Sequence, residues 1–248
     1  MSQYSRGRAT VLLVASLAAI GPLRASPTAL PARGARVDVT VLAHAAERVG
    51  LRPKVLRLAL RARDRVVAGG LSARPLLTVI DYSLPSHERR LWVLDLVHAR
   101  VLAHELVAHG RGTGDDQARR FSNRPGSLQS SLGTFVTGSV YHGKHGLALR
   151  LRGLDPGLND RAEVRAIVMH GAPYVSEAVA AKLGRLGRSQ GCPALNPAVA
   201  ARVIELIRDG TVLFAYHPSR DVRGVTSSAE SAGALTGGRP YARRQRPS

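Results

Sequence analysis

The hydrophobic period of this chain changes from helical to β near residue 76, and that change limits the folds open to it. Upstream, Pro53 suits a first helical turn, and Val55, Ala59, Ala62 and Val66 share one helical face before Gly69-Gly70 stops the pattern. A shorter helical stretch precedes it. An apolar helical face needs a partner, and the downstream domain is the simplest one. From Leu76 onward the runs are short and β-rich: LLTVIDY, then Leu91 to Leu96 and Val101 to Val107 as a hairpin. Leu147, Leu149 and Leu151 alternate with Ala148, Arg150 and Arg152, the mark of a half-buried strand. Ala166 to Met169 and Val212 to Tyr216 read as short buried strands. One helix is well signed between them, with Asn196 as cap, Pro197 in the first turn, apolar Val199, Val203, Leu206 and Ile207, and Gly210 at its end. Residues 71–218 are therefore expected to form a mainly β domain with a few helices. The chain has 248 residues, 44% of them hydrophobic, enough for a sizeable core in one domain with tails.

The flanks read differently. Arg6 and Arg8 precede the apolar run Ala9 to Ile20, and Leu23-Arg24-Ala25 could end in a cleavage site, so residues 1–25 read as a secretory signal peptide. A hydrophobic helix retained on the protein is the other reading. The run is too short for a comfortable membrane span, which takes about 20 apolar residues, and no other segment comes close. Residues 26–70 read as a Pro- and Ala-rich linker followed by the helical segment, and residues 219–248 as a disordered, basic, Ser/Gly/Arg-rich tail.

Charge narrows the partners. The chain carries 36 Lys+Arg against 17 Asp+Glu, a formal charge of +19, yet only Lys54, Lys144 and Lys182 are lysines. The arginines are dispersed and aromatic residues make up 4%, so the clustered charge and stacking rings of a nucleic-acid binder are missing. A polyanionic envelope or peptidoglycan suits a basic exported protein equally well.

Three motifs invite a chemical reading. His104-Glu105-Leu106-Val107-Ala108-His109 places its histidines five apart rather than four, so neither a helix nor a strand turns both toward one metal ion. Gly110 to Gly114 lacks the Lys-Ser/Thr of a phosphate loop and reads as a turn. The third, Gly187-Arg188-Ser189-Gln190-Gly191-Cys192-Pro193, holds the only cysteine in a Gly-bearing turn. With a single thiol no internal disulfide exists, so Cys192 is either an inert core residue or a reactive group. Glycine before it permits close approach of a substrate carbonyl, and N–H groups of the turn could hold an oxyanion. His170-Gly171, at a strand end 22 residues earlier, can return to the thiol as a base and lower its pKa.

His170-Gly171 together with Ser189-Gln190-Gly191-Cys192 resembles the active-site signature of the L,D-transpeptidase (YkuD-like) catalytic domain. Ser130 to Phe135 resembles that family's Thr-Pro-x-Gly-x-Phe segment, and the hairpin Arg90 to Gly110 resembles its opening strands. Tyr141 to Gly146, Gly153-Leu154, Asn159-Asp160 and Gly187-Arg188-Ser189 are similar to the murein L,D-transpeptidase subgroup, so the resemblance spans roughly residues 76 to 217. It implies a β-sandwich or barrel catalytic domain acting on peptidoglycan stem peptides in the periplasm or cell envelope. Cys192 would attack the L-centre carbonyl of diaminopimelate, expel D-Ala and pass the acyl group to an amine, giving a 3→3 cross-link. His170 is then the base, Ser189 orients the turn, and N–H groups around Gly191 and Cys192 form the oxyanion site. Gly171, Gln190, Arg188 and Tyr141 are the expected substrate contacts. No metal or organic cofactor is implied.

The sequence departs from the family pattern at Gln190, where a second His is usual, and at Pro193-Ala194, where a polar residue follows the cysteine. Arg188 could supply the missing carboxylate contact, or be a solvated surface residue. Tyr141 and Lys144 read either as cleft residues or as a packed ring and a surface cation, and His142 and His145 as loop histidines. Hydrolysis of the same acyl-enzyme, as an L,D-carboxypeptidase or endopeptidase, and a non-catalytic envelope-binding role remain open alternatives.

Overall fold

Two helices precede an eight-stranded barrel, and two more helices are inserted between its last strands, in the computed structural model, which describes residues 38–72, 74–144 and 146–219. The expected signal peptide, residues 26–37 of the linker, the tail from residue 220 and His145 lie outside the described residues. Helix α1 (Val39–Glu47) is capped by Asp38, whose carboxylate accepts from the N–H groups of Thr40 and Val41. Helix α2 (Pro53–Ala68) starts at the proline and buries Val55, Leu56, Ala59, Ala62 and Val66. The strands are β1 (Leu76–Asp81), β2 (Arg89–Asp95), β3 (Arg100–Ala108), β4 (Gly133–Gly143), β5 (Gly146–Gly153), β6 (Val168–Gly171), β7 (Ala194–Leu195) and β8 (Val212–Tyr216). They close in the order β1-β2-β3-β7-β6-β5-β4-β8. Pairing is antiparallel except between β1 and β8 and between β6 and β7.

The alternation of side chains explains why some strands read as continuous apolar runs. Ile80, Leu91, Val93, Leu213 and Ala215 point into the barrel, where they meet Leu149, Leu151 and Met169. Their neighbours Leu77, Val79, Trp92, Leu94, Val212 and Phe214 point outward and pack against the buried face of α2. A strand covered on both faces has no polar side to show. Strand β5 is covered on one face only, and it alternates as the sequence suggests, with Leu149 and Leu151 buried and Arg150 and Arg152 exposed. The helical segment is thus pinned to the barrel by one hydrophobic core that runs across residue 70. Polar ties reinforce it: Arg52 donates to Asp81 at 2.6 and 3.1 Å, and the buried Trp92 indole donates to Val49 O at 2.9 Å.

Helix α4 (Pro197–Ile207) is capped by Asn196, which accepts from Ala198 N at 2.9 Å. Its core face is Ala200, Val203, Ile204 and Ile207, with Val199 and Leu206 only half-buried. The hydroxyls of Thr137 and Thr211 donate to the terminal carbonyl of Ile207 at 2.7 and 2.6 Å, satisfying an acceptor the helix leaves open. The expected strand from Ala166 begins two residues later, because Ala166 takes φ +50° and Ile167 closes a turn onto Ala162. Strands β4 and β7 and helix α3 (Glu177–Leu183) carry no sequence signal of their own. Strand β4 is interrupted by glycines, β7 has two residues, and α3 buries none of its side chains.

Candidate active site

The parallel pair β6–β7 brings the distant cysteine and histidine together. His170 pairs with Ala194. Two residues earlier on each side lie Val168 and Cys192, and the Val168 N–H donates to Cys192 Sγ at 3.5 Å. The thiol in turn faces the Ala166 carbonyl at 3.7 Å. Both functional side chains line one cleft of about 520 Å³.

The backbone fixes the tautomer of the histidine. His170 is buried, and its Nδ1 lies 2.8 Å from Gly171 O. A carbonyl oxygen only accepts, so Nδ1 carries the proton and Nε2 the lone pair. Beside it the row Tyr141, Ala148, His170 runs across β4, β5 and β6 on the outer face of the barrel. Ala148 is small and buried there, and leaves the floor of the cleft between the ring of Tyr141 and the imidazole.

The turn carrying Cys192 is held by several hydrogen bonds. Ser189 Oγ donates to Cys192 O at 2.6 Å and accepts from Gly191 N at 3.0 Å, while its N–H donates to His109 O and its carbonyl accepts from Arg111 N. Gly191 takes φ +131°, a conformation that L side chains rarely adopt. Its carbonyl accepts from Ser130 Oγ at 3.0 Å, and Ser130 Oγ accepts from Gly110 N at 3.0 Å. Gly110 presses against this turn so closely that a Cβ there would come within 2.4 Å of Leu128 O and 2.8 Å of Gly191 Cα. The GRGTG segment is therefore the turn that the sequence suggests, and it also backs the Gly191-Cys192 turn.

Behind that backing lies a buried polar group. Arg90 donates to Val107 O at 2.9 and 3.1 Å, to Leu84 O at 2.7 Å and to His109 Nδ1 at 2.8 Å. Burial lowers its pKa to about 10. A guanidinium only donates, so His109 holds its proton on Nε2, which faces Gly114 O at 3.3 Å. Burial, helped by the Arg90 charge, lowers the His109 pKa to about 4. His104 sits elsewhere, half-buried, its ring stacked on Trp92 at 5.0 Å. The two histidines of the wrong-spacing motif serve different structural surroundings.

The site residues expected from sequence fall into three groups. Cys192, His170, Ser189, Gln190, Arg188 and Tyr141 all line the cleft. Gly171 does not: it packs against α4, where a Cβ would meet Ala200 Cβ at 3.2 Å. Gly191 does not line it either, and its N–H is engaged by Ser189 Oγ. Arg188 lies in the cleft, but its guanidinium donates to Asp115 and to Gly114 O, so it is a paired residue rather than an open carboxylate receptor. Tyr141 is covered by the Arg150 guanidinium, 4.4 Å from the ring centre. The lowered thiol pKa expected from His170 is not what the resting geometry gives. Burial pushes Cys192 upward, opposed by the Val168 N–H and the charge of Arg165.

Arg165 and Tyr174 were not expected at the site. Arg165 carries no motif, and only the turn that precedes β6 places it in the cleft. Tyr174 follows the His170-Gly171 pair closely and packs on Gly187, whose missing side chain makes room for the ring. Burial raises its phenol pKa to about 12, and the nearby Cys192 acts in the same direction.

Several solved structures are similar in architecture. They include an L,D-transpeptidase from Mycobacterium smegmatis, at 17% identity over 58% of this chain and 59% of that one, with a TM-score of 0.36. L,D-transpeptidase 1 of Mycobacterium tuberculosis has 15% identity over 58% and 62%, with a TM-score of 0.33. The helical cell shape determining protein of Campylobacter jejuni has 13% identity over 63% and 56%, with a TM-score of 0.37. This chain spans 59% of the first of these proteins. Among curated protein sequences none matches it. The sequence profile of the L,D-transpeptidase catalytic domain matches residues 47–216, well over half of the chain and the whole barrel, and the protein belongs to that family.

Proposed function

We propose that this protein is an exported peptidoglycan L,D-transpeptidase with Cys192 as nucleophile and His170 as base. The observation that carries the reading is the β6–β7 pairing, which sets the only thiol and a base-competent imidazole in one cleft. Cys192 Sγ attacks the L-centre carbonyl carbon of diaminopimelate as its proton passes to His170 Nε2. The Cys192 N–H faces the developing oxyanion. The C–N bond to D-Ala then breaks, the departing amine takes the proton from His170, and a thioester remains. An acceptor amine attacks that thioester and gives a proton to His170. Sulfur leaves and is reprotonated, closing a 3→3 cross-link. No step calls for a metal or organic cofactor. The apolar run after Arg6 and Arg8 supports export, and among the described residues no helix is long and apolar enough to cross a membrane.

Intact-mass analysis tests the reading: a carbapenem should form a covalent adduct on the folded protein and none on Cys192→Ala. No adduct on folded wild type, or one that persists in the alanine variant, overturns it. A tetrapeptide donor separates transfer from hydrolysis, since tripeptide product without cross-linked dimer would establish water as the acceptor.

A further inference from the structure

Arg165 is held as few arginines are. Its Nη1 donates to Ser122 O at 2.6 Å and to Ser131 Oγ, and its Nη2 donates to Gln129 O and to Ser127 Oγ at 3.3 Å. Every one of these partners is neutral, and among the described residues it forms no ion pair. The guanidinium is only partly solvated, lines the cleft with Cys192, and lies 3.4 Å from the position a Cβ would take on Gly191. A cation fixed in a partly dry cleft without a counter-charge favours negative charge beside it. With its four Nη–H groups used by the protein, it acts as a stationary charge rather than a fork for a carboxylate.

We infer that Arg165 is the electrostatic activator of Cys192, a fixed charge that stabilises the thiolate and the oxyanion formed from it. This deepens the cysteine-enzyme reading and rests on it. The proton leaving Sγ still goes to His170 Nε2, and Arg165 exchanges nothing. Other groups facing the thiol do not take over this role. Tyr174 and Tyr82 oppose a thiolate if ionised, Arg188 is paired with Asp115, and Lys144 stands on the exposed hairpin tip. Burial works against the thiolate, while Arg165 and the Val168 N–H work for it.

The test is the pH profile of thiol alkylation by iodoacetamide on wild type, Arg165→Gln and Arg165→Lys, with melting temperatures alongside. An opposite charge at short range moves a pKa by about 1–3 units. The Gln variant should therefore shift the alkylation midpoint upward by about one pH unit, and carbapenem acylation at pH 7 should slow by roughly tenfold. The Lys variant should recover most of the shift. An unmoved midpoint in folded Arg165→Gln overturns the inference, as does a Lys variant that behaves like Gln. If the Gln variant does not fold, the wild type still decides. Anionic iodoacetate should gain on neutral iodoacetamide relative to a free cysteine peptide, and a ratio no higher than the peptide's overturns the proposal. Alkylation needs no enzymatic turnover, so a failure of the transpeptidase reading, seen as absent carbapenem adduct, is distinguishable from a failure of this one.

Discussion

The two walls of the cleft are built in different ways. One is the turn of Cys192, where Ser189, Ser130 and Gly110 engage the peptide groups of Gly191 and Cys192, and Arg90 and His109 fill the space behind. The other is the tip of the β4–β5 hairpin, where Gly143 and Lys144 are exposed and Tyr141 is covered by Arg150. Under the proposed function the first wall must hold a nucleophile within tenths of an ångström, and a buried hydrogen-bonded network suits that task. The tip of the second wall is exposed, so under the proposed function sequence change there should alter affinity more than chemistry.

The contrast can be broken most severely at the nucleophile itself. Cys192→Ala should abolish acylation, read by intact mass, without changing the melting temperature by more than a degree or two. Gly110→Ala comes next. Its Cβ has backbone on both sides, so the turn must move or the fold must weaken, and activity should fall by about a hundredfold, since a misplacement near 1 Å costs that much. A Gly110→Ala protein with wild-type kcat/KM would show that the backing is not needed.

Acid should act on the first wall through His109. Its folded pKa, about 4, lies below the ordinary 6.5, so the unfolded chain takes up a proton that the folded one refuses. Stability is therefore full above about pH 6.5 and declines as pH falls toward 4, by about 3 kcal/mol at the limit. Urea melts at pH 7 and pH 4.5 should differ by less in His109→Gln than in wild type.

Ser189→Ala removes two hydrogen bonds of the turn and should cost about 1–2 kcal/mol in stability, with kcat reduced by roughly tenfold. The smallest effect belongs to the second wall. Lys144→Ala should change stability by less than about 0.5 kcal/mol and act on KM rather than kcat. A kcat loss at Lys144 that equals the loss at Ser189 would erase the distinction between the walls.

The covering of each strand decided what could be read beforehand. β5 and the face of α2 are legible because their apolar residues repeat at the period of the element, β8 because it is a short unbroken apolar run, and α4 because Asn196 and Pro197 mark its start locally. β4 and β7 are not, because their partners, rather than their own residues, make them strands. Among site residues, Cys192 and His170 carry their chemistry in their identity and could be named at once. Arg165 is one arginine among many in a basic chain, and its part in the site depends on a turn at Ala166 that no local pattern announces. Gly191, expected at the oxyanion turn, and Gly171, expected as a substrate contact, both lie outside the cleft lining and are crowded by neighbouring groups, which their place in the motif does not reveal.

By itself the sequence determined the mainly β architecture, the helical layer and the thiol and imidazole that are candidates for the chemistry, since periodicity and side-chain chemistry are local properties. Only the tertiary structure decided which arginine shares the cleft with the thiol without a carboxylate partner, and which groups hold the cysteine turn. These depend on groups that meet across the barrel, and burial and hydrogen bonding, not residue type, fix what each of them can do.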